Sequence, residues 1–279
     1  MRAISEFMDR NKMAGSLQHD RSGSFRIIWE TDQLPFTSIV VYSPEFDSAL
    51  ERCVQLVNER SRFKTYEIIV VTPSSGESEH GIHATVVRTD KTDFADGSNL
   101  GARSSRGQVL VFLDRHSQII SSDWLEEIVG WAMQPSIGAV GCKLMSKKQK
   151  RIIHGGVVVG LPGYLFEGAR ERSWTPFGHT EWYRDLTAVS GACLATRREV
   201  FEEVGGFDEL ESVPDIAYCL AGRRKNYRVL YTPFVKLILN NCDCHSPDAR
   251  SVADPIRWED PYYNPNLSTN KTIPTLKLS

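Results

Sequence analysis

The chain has 279 residues, 41% of them hydrophobic and 24% charged, with a formal net charge of -2. That is ordinary globular composition for one large domain or two small ones, and the near-zero charge gives no electrostatic argument for nucleic acid or an anionic membrane surface. No run approaches the roughly 20 apolar residues of a membrane span, Met1 to Phe7 lack a signal peptide's hydrophobic stretch, and six cysteines are too sparse for a disulfide scaffold, so reduced thiols in a cytoplasmic setting are expected.

Residues 1–34 are polar and aperiodic and read as an extension or linker, with a short helix near Ile4 to Met8. From Phe36 the pattern becomes strand, helix, strand. Phe36 to Tyr42 predicts a buried strand, and Phe46 to Glu59 a helix with Phe46, Leu50, Cys53, Val54 and Val57 on one face. Tyr66 to Val71 and Ile82 to Val87 are the next two strands. Asp93 to Ser105 reads as a helix, Gln108 to Leu113 as a strand and Asp123 to Met133 as a helix. In that last helix Asp123 and Glu126 have capping-box spacing, and Trp124, Ile128 and Trp131 form the apolar face. Ile137 to Lys143 is a further strand. Beyond it Gly155 to Gly160 and Ala192 to Thr196 are expected as strands. Arg197 to Val204, stopped by Gly205-Gly206, and Asp215 to Lys225 are expected as helices. From about Pro247 the chain is rich in Pro and Asn and predicts a tail that wraps the surface. Alternating strands and helices require crossover connections, hence an α/β fold with a mainly parallel sheet.

The triplet Asp114-Arg115-His116 directly follows the apolar run Val109 to Leu113. Ligands of open α/β sheets bind outside the carboxyl ends of such strands. An acid there can hold a metal or a ribose. Cys242-Asp243-Cys244-His245 also has ligand chemistry, but no second Cys or His pair at zinc spacing accompanies it. No Gly-X-Gly-X-X-Gly follows Tyr42, which argues against a Rossmann-type dehydrogenase or methyltransferase.

An ordered series of segments between residues 36 and 268 resembles the family-2 glycosyltransferases, in their rhamnosyltransferase-like branch of bacterial polysaccharide enzymes. The carrying residues are Asn99 to Arg103 with Arg106-Gly107, Val111 to Asp114, Asp123 to Glu127, Ile137 to Leu144 and His154 to Val158. Val189 to Leu194, Arg198 to Asp208, Tyr227 to Pro233 and Asp260 to Ser268 complete the series. The resemblance implies the GT-A fold, a Rossmann-like mainly parallel sheet flanked by helices and merged with a smaller acceptor-side sheet, here over 35–246, with 247–279 as the tail. It implies inverting transfer of a sugar from a nucleoside-diphosphate sugar to a glycan acceptor. A divalent metal (Mn or Mg) would steady the leaving diphosphate, and a carboxylate would deprotonate the acceptor hydroxyl. A chain of this size would also fit as one module of a larger polypeptide.

Residue by residue, the resemblance assigns Asp215 as base, Ser43, Thr72, Asp96, Asn99, Arg103 and Asp114 to the nucleotide, and Asp114, His116 and His245 to the metal. The chain departs from the family pattern at several of these. The turn after the first strand reads Tyr42-Ser43-Pro44-Glu45, where Ser43 either donates to a phosphate or ribose or only ends the strand. Thr72-Pro73-Ser74-Ser75 replaces a segment that begins with a base-reading aspartate. Asp93 and Asp96 have a helix-capping reading beside the nucleotide one. The family's Asp-X-Asp is Asp114-Arg115-His116, which leaves open a metal through His116, direct contact of Arg115 or His116 with phosphates, or a solvated turn. Asp215 has the alternative of a helix first-turn acid, and the second aspartate of its motif is Ala217. Leu239 to Cys242 occupy the metal-histidine segment, so His245 serves only if the loop shifts. His154 keeps its family position beside Gly155-Gly156 and reads as a histidine satisfied at the sheet junction, with a catalytic role as the alternative. These losses keep a catalytically silent domain for binding or assembly as the alternative.

Overall fold

The computed structural model describes residues 2–19, 24–73, 82–91, 93–148, 150–239 and 260–277. Helix α1 (Arg2–Arg10) and the hairpin β1 (Gly15–His19) and β2 (Phe25–Trp29) open the chain. There follow β3 (Thr37–Tyr42), α2 (Ser48–Arg60), β4 (Tyr66–Thr72), β5 (Thr85–Arg88), α3 (Phe94–Arg103) and β6 (Val109–Leu113). Next come β7 (Ser117–Ile119), α4 (Trp124–Ala132), β8 (Ile137–Ser146), β9 (Ile152–His154), β10 (Trp174–Thr175), β11 (Gly178–His179) and β12 (Arg184–Leu186). The last elements are β13 (Cys193–Arg197), α5 (Arg198–Val204), α6 (Pro214–Arg224) and β14 (Arg228–Leu239).

One large sheet has the order β12-β14-β8-β13-β6-β3-β4-β5, with β7 on β14 and β9 on β8, and β10–β11 form a small antiparallel sheet of their own. Strands β3, β4, β5, β6, β8 and β14 all run the same way; β13 lies antiparallel between β6 and β8 and joins the two parallel blocks. Their carboxyl ends therefore share one rim. The run Ile39-Val40-Val41 explains why the sheet is covered on both sides. Ile39 and Val41 pack with Leu50, Cys53, Val54 and Val57 of α2 and with Trp124 and Ile128 of α4. Val40 packs the other way, with Ala95 and Ala102 of α3 and with Phe201 and Phe207.

Helix α3 runs antiparallel to β3. A Cβ on Gly97 would meet the Tyr42 ring at 2.1 Å and one on Gly101 the Val40 side chain at 2.3 Å, so α3 starts at the rim and descends from it. Asp93 caps it, accepting from the Asp96 N–H at 2.9 Å. Helix α5 stops at Gly205 with φ +103, as the Gly205-Gly206 pair predicts.

Several expectations need correction. The N-terminal segment is no free linker. Ile27 and Trp29 of β2 are buried, Trp29 meets Trp131 of α4 edge-on at 5.4 Å, and Arg26 pairs with Asp123 at 2.8 Å and Glu127 at 3.3 Å. Asp123 stands at the N-cap of α4, but its carboxylate makes no cap bond because Arg26 takes it. Glu126 pairs with Arg62 instead of closing a capping box. Gly155 to Gly160 is not a strand; Val157 makes only an isolated bridge to Ala188. Of the expected tail, 260–277 packs on the body. Asp260 Oδ2 accepts from Thr187 Oγ1 and the Val159 N–H, and Tyr263 and Leu267 are buried. Among the described residues no helix is long and apolar enough to cross a membrane.

Candidate active site

A cleft of about 490 Å³ opens between the rim and the amino end of α6, and Tyr42, Phe94, Asp114, Arg115, His116, Tyr164, Gly191 and Asp215 line it. Asp114 enters it where β6 leaves its partner, the Asp114 N–H donating to Ala192 O at 3.0 Å. Its carboxylate folds back on its own loop. Oδ1 accepts from the His116 N–H at 2.7 Å and faces His116 Nδ1 at 3.2 Å. This is an Asx-type turn, and the Asp114 hydrogen bond raises the His116 pKa above its ordinary value.

Arg115 points the other way. Its Nη1 donates to Asp47 Oδ2 at 2.7 Å and, more weakly, to Ser43 Oγ at 3.4 Å. Asp47 is also the N-cap of α2, with Oδ1 accepting from the Leu50 N–H at 3.0 Å. Ser43 is buried, and its hydroxyl donates to Glu45 O at 2.5 Å. Ser43 thus shapes the turn and helps hold Arg115.

Asp215 lies just inside α6, whose first residue is Pro214, a position where the missing N–H costs nothing. Its Oδ2 accepts from the Gly191 N–H at 2.7 Å, and Oδ1 from the Ile216 N–H at 2.9 Å. Burial pushes the carboxyl up from its ordinary value, and these N–H donors pull against that. Gly191 is required by close approach: a Cβ there would stand 2.8 Å from Phe94 Cζ and 3.1 Å from Asp215 Cβ. Behind it, His154 Nδ1 lies 3.4 Å from Cys142 O, and Nε2 accepts from the Ser190 N–H at 3.1 Å. That pair of contacts fits one neutral tautomer, donating at Nδ1. Burial lowers the His154 pKa to about 4. The Tyr164 hydroxyl bonds the Ser190 side chain, and its ring meets His154 edge-on at 4.5 Å.

The structure therefore brings Asp114, Arg115, His116 and Asp215 into one cleft. Asp96 stays near it, paired with Lys91 at 3.5 Å; the Tyr42 pKa is raised mainly by burial, with Asp93 and then Asp96 adding to the rise. Ser43, 0% exposed and bonded within its own turn, does not line it, and three further nucleotide assignments do not reach it. Thr72 is 0% exposed at the end of β4. Asn99 is closed on the chain 108 residues away, its Nδ2 donating to Phe207 O at 2.8 Å and its Oδ1 accepting from the Phe207 N–H at 3.0 Å. Arg103 ends α3 at the far side from the rim, in a separate hollow with Asn99 and Glu202. The metal assignment to His245, like the whole Cys242 to His245 segment, lies outside the described residues. The sequence reading missed Asp47 and Tyr164. An aspartate directly before the Ser48 start of a helix was the available signal for Asp47; Tyr164 lies in a loop without periodicity and gave none.

Among the described residues no three His, Cys, Asp or Glu side chains converge on a common point. Asp114 and His116 still offer a two-ligand set. With Nδ1–H donated to Asp114 Oδ1, His116 keeps Nε2 as a lone-pair donor backed by a carboxylate. An imidazole nitrogen suits manganese better than magnesium; with Nδ1 bonded to Asp114, Nε2 faces away from that carboxylate, so the two side chains hold one ion together only if this hydrogen bond opens.

The family model described as glycosyl transferase family 2 matches residues 38–205, a span that includes Asp114 and His116 and ends before Asp215. The chain is 30% identical to the O-antigen biosynthesis protein RfbC of Myxococcus xanthus over 98% of its own length and 23% of that protein. It is 29% identical to the uncharacterized protein y4gI of Sinorhizobium fredii over 89% of itself and 31% of that protein. It thus spans less than a third of either relative. Among solved structures it resembles the mannosyltransferase PcManGT from Pyrobaculum calidifontis in complex with GDP-Man and Mn2+, with a TM-score of 0.56 and 16% identity over 88% of this chain and 66% of that one. It also resembles GalNAc-T7 with UDP, GalNAc and Mn2+, with a TM-score of 0.59 and 16% identity over 85% and 52%. At that identity the likeness concerns the fold, which is the GT-A fold the sequence resemblance implies.

Proposed function

The chain belongs to glycosyl transferase family 2, and from that premise we propose that it transfers a sugar from a nucleoside-diphosphate sugar to a glycan hydroxyl, with inversion, in bacterial polysaccharide biosynthesis. The observation that carries this is the shared cleft, with Asp114 on the strand-end wall and Asp215 on the helix wall. The relation to an O-antigen biosynthesis protein supports the polysaccharide setting.

The roles follow from the chemistry of each wall. Attack by a neutral hydroxyl needs its proton removed, and Asp215 is the carboxylate placed to accept it. A base works best when its pKa approaches the working pH, and burial moves Asp215 in that direction. Two backbone donors fix the carboxylate, so its position does not depend on substrate. As the sugar–phosphate bond breaks, negative charge grows on the diphosphate. The Arg115 guanidinium is the cation that can meet it, by exchanging Asp47 for a phosphate oxygen. A divalent ion on Asp114 and His116 would add Lewis-acid stabilisation of that leaving group; Mn2+ in both structural neighbours supports it.

Product formation from a panel of nucleotide sugars with a glycan acceptor, comparing wild type with Asp215→Asn, tests the reading. Equal rates would remove Asp215 as base. One observation favours a second reading, a silent domain: Thr72 and Asn99 have no face toward the cleft. Calorimetric titration with UDP, GDP and dTDP in the presence of manganese separates the two, because a silent domain built for assembly gives no heat with any of them.

A further inference from the structure

Net charge conceals how the cations are distributed. Residues 143–172 contain seven Lys and Arg against two acids, Glu167 and Glu171, in a chain whose total is -2. Lys143 is buried and paired with Glu181. The others crowd one surface. Strand β8 ends at the rim with Ser146, and the turn into β9 carries Lys147, Lys148 and Lys150, all exposed, followed by exposed Arg151. Arg151 stands opposite Arg170 across an antiparallel bridge, an arrangement of like charges that is unfavourable unless an anion lies between them. Beside them is a hollow of about 430 Å³ lined by Lys150, Arg151, Arg170, Glu171 and Arg172.

The acids nearby are already engaged. Glu171 pairs with Lys236, and Glu167 accepts from the Tyr164 N–H at 3.2 Å. Among the described residues none of Lys147, Lys148, Lys150, Arg151 and Arg170 has an acidic partner within ion-pair distance, whereas Arg172 lies 3.8 Å from Glu181. Two residues beyond Arg172 stands Trp174, 67% exposed, its ring held edge-on by His179 and Trp182 at 5.2 Å each.

We propose that the β8–β9 hairpin, with Arg170, Arg172 and Trp174, is a docking face for an anionic lipid bilayer. Clusters of four to eight Lys or Arg are attracted to anionic leaflets, and tryptophan favours the headgroup level of the interface. A single bound anion calls for cations that converge and are partly buried; these are spread over an exposed turn, as a plane of headgroups requires. The hairpin is tied to the cleft, since Leu144 pairs with His154, and His154 holds Ser190. Docking would therefore set the Ser190–Ala192 side of the cleft beside the lipid surface. The proposal does not depend on the transferase reading, and its test measures no turnover.

The test is partition of the whole chain onto vesicles of phosphatidylcholine alone and of phosphatidylcholine with phosphatidylglycerol, by flotation at low and high salt. Wild type binds the anionic vesicles, fails to bind the neutral ones and is released by salt, because screening acts within a Debye length. K147A/K148A/K150A binds about a hundredfold more weakly, at about fivefold per cation, and Trp174→Ala severalfold more weakly. All four side chains are exposed, so unchanged thermal melts certify the fold. R52A/R60A/K64A, which removes three exposed cations from α2 and its following turn, leaves partition unchanged. The proposal is overturned if wild type ignores anionic vesicles, if the hairpin variant binds as wild type does, or if the α2 variant loses as much. Binding of a soluble anionic polysaccharide without binding to vesicles would also overturn it.

Discussion

On the wall of the cleft that carries Asp215, each polar group is held by a different element: Gly191 donates to Asp215, His154 accepts from Ser190, and Tyr164 bonds Ser190. On the opposite wall Arg115 is held by Asp47 behind it, and Asp114 is bonded to His116, at a partly solvated edge. The first wall is preorganised, with its groups fixed and desolvated before substrate arrives. The second is provisional, because each of its contacts is one that a phosphate or a cation can replace. The sharpest way to test that contrast is Asp215→Asn. Loss of a general base costs about 10²–10⁴-fold in turnover. The melting temperature should fall modestly, because asparagine keeps one acceptor oxygen and turns an NH2 donor toward the Gly191 or the Ile216 N–H, a loss only partly offset by removing a carboxylate whose charge burial disfavours. Rate assays beside a thermal melt check both halves, and a large loss of stability would mean that Asp215 is structural. Asp114→Ala on the other wall should cost about 10²-fold, roughly 3 kcal/mol of leaving-group stabilisation, and flatten the response of rate to added manganese.

What was legible in the sequence follows the same division. The parallel block could be read because Ile39, Val40 and Val41, like Val109 to Leu113, are buried on both faces and leave continuous apolar runs. The ends of those runs place Asp114, and the start of α6 places Asp215. The short strands β9 to β12, of two or three residues, carry no period long enough to detect. The hairpin β1–β2 escaped notice because its two strands bury only Ile27 and Trp29, against α4 far along the chain. Asn99 shows the limit at the site: an asparagine that grips the Phe207 backbone and one that grips a nucleotide look the same until residues 99 and 207 are placed together. Net charge is limited in the same way, since a sum over the chain carries no information about how the cations at 147–151 are grouped.

The rigid wall also has a pH signature. His154 is held neutral, with its pKa lowered by burial from 6.5 to about 4. Between those values the unfolded chain binds a proton that the folded one does not, so stability rises with pH across the window and is lost as pH falls through it. The slope should approach about 1.4 kcal/mol per pH unit, at most about 3 kcal/mol in all. Melts of wild type and His154→Gln between pH 7 and 4 check this. The variant is less stable at pH 7 but flatter below it, and parallel curves would show that His154 does not carry the effect.

The smallest expected effect is the most informative about the provisional wall. Asp47 has two tasks: Oδ1 caps α2, and Oδ2 holds Arg115. Asp47→Ala loses both, and the cap alone is worth about 1 kcal/mol, or a melting temperature lower by about 2–4 °C for a domain near this size. The ion pair adds little, because the Asp47 side chain is 34% exposed and such pairs contribute about 0–1 kcal/mol. Asp47→Ser keeps a capping oxygen and removes only the hold on Arg115. It should therefore melt close to wild type while binding a nucleoside diphosphate several-fold more tightly, since Arg115 no longer has to leave a carboxylate to meet a phosphate. Calorimetry with the diphosphate that wild type prefers reads the change directly. If Asp47→Ser instead weakens binding, Asp47 is aiming Arg115 rather than withholding it, and the strand-end wall is as preorganised as the wall that carries Asp215.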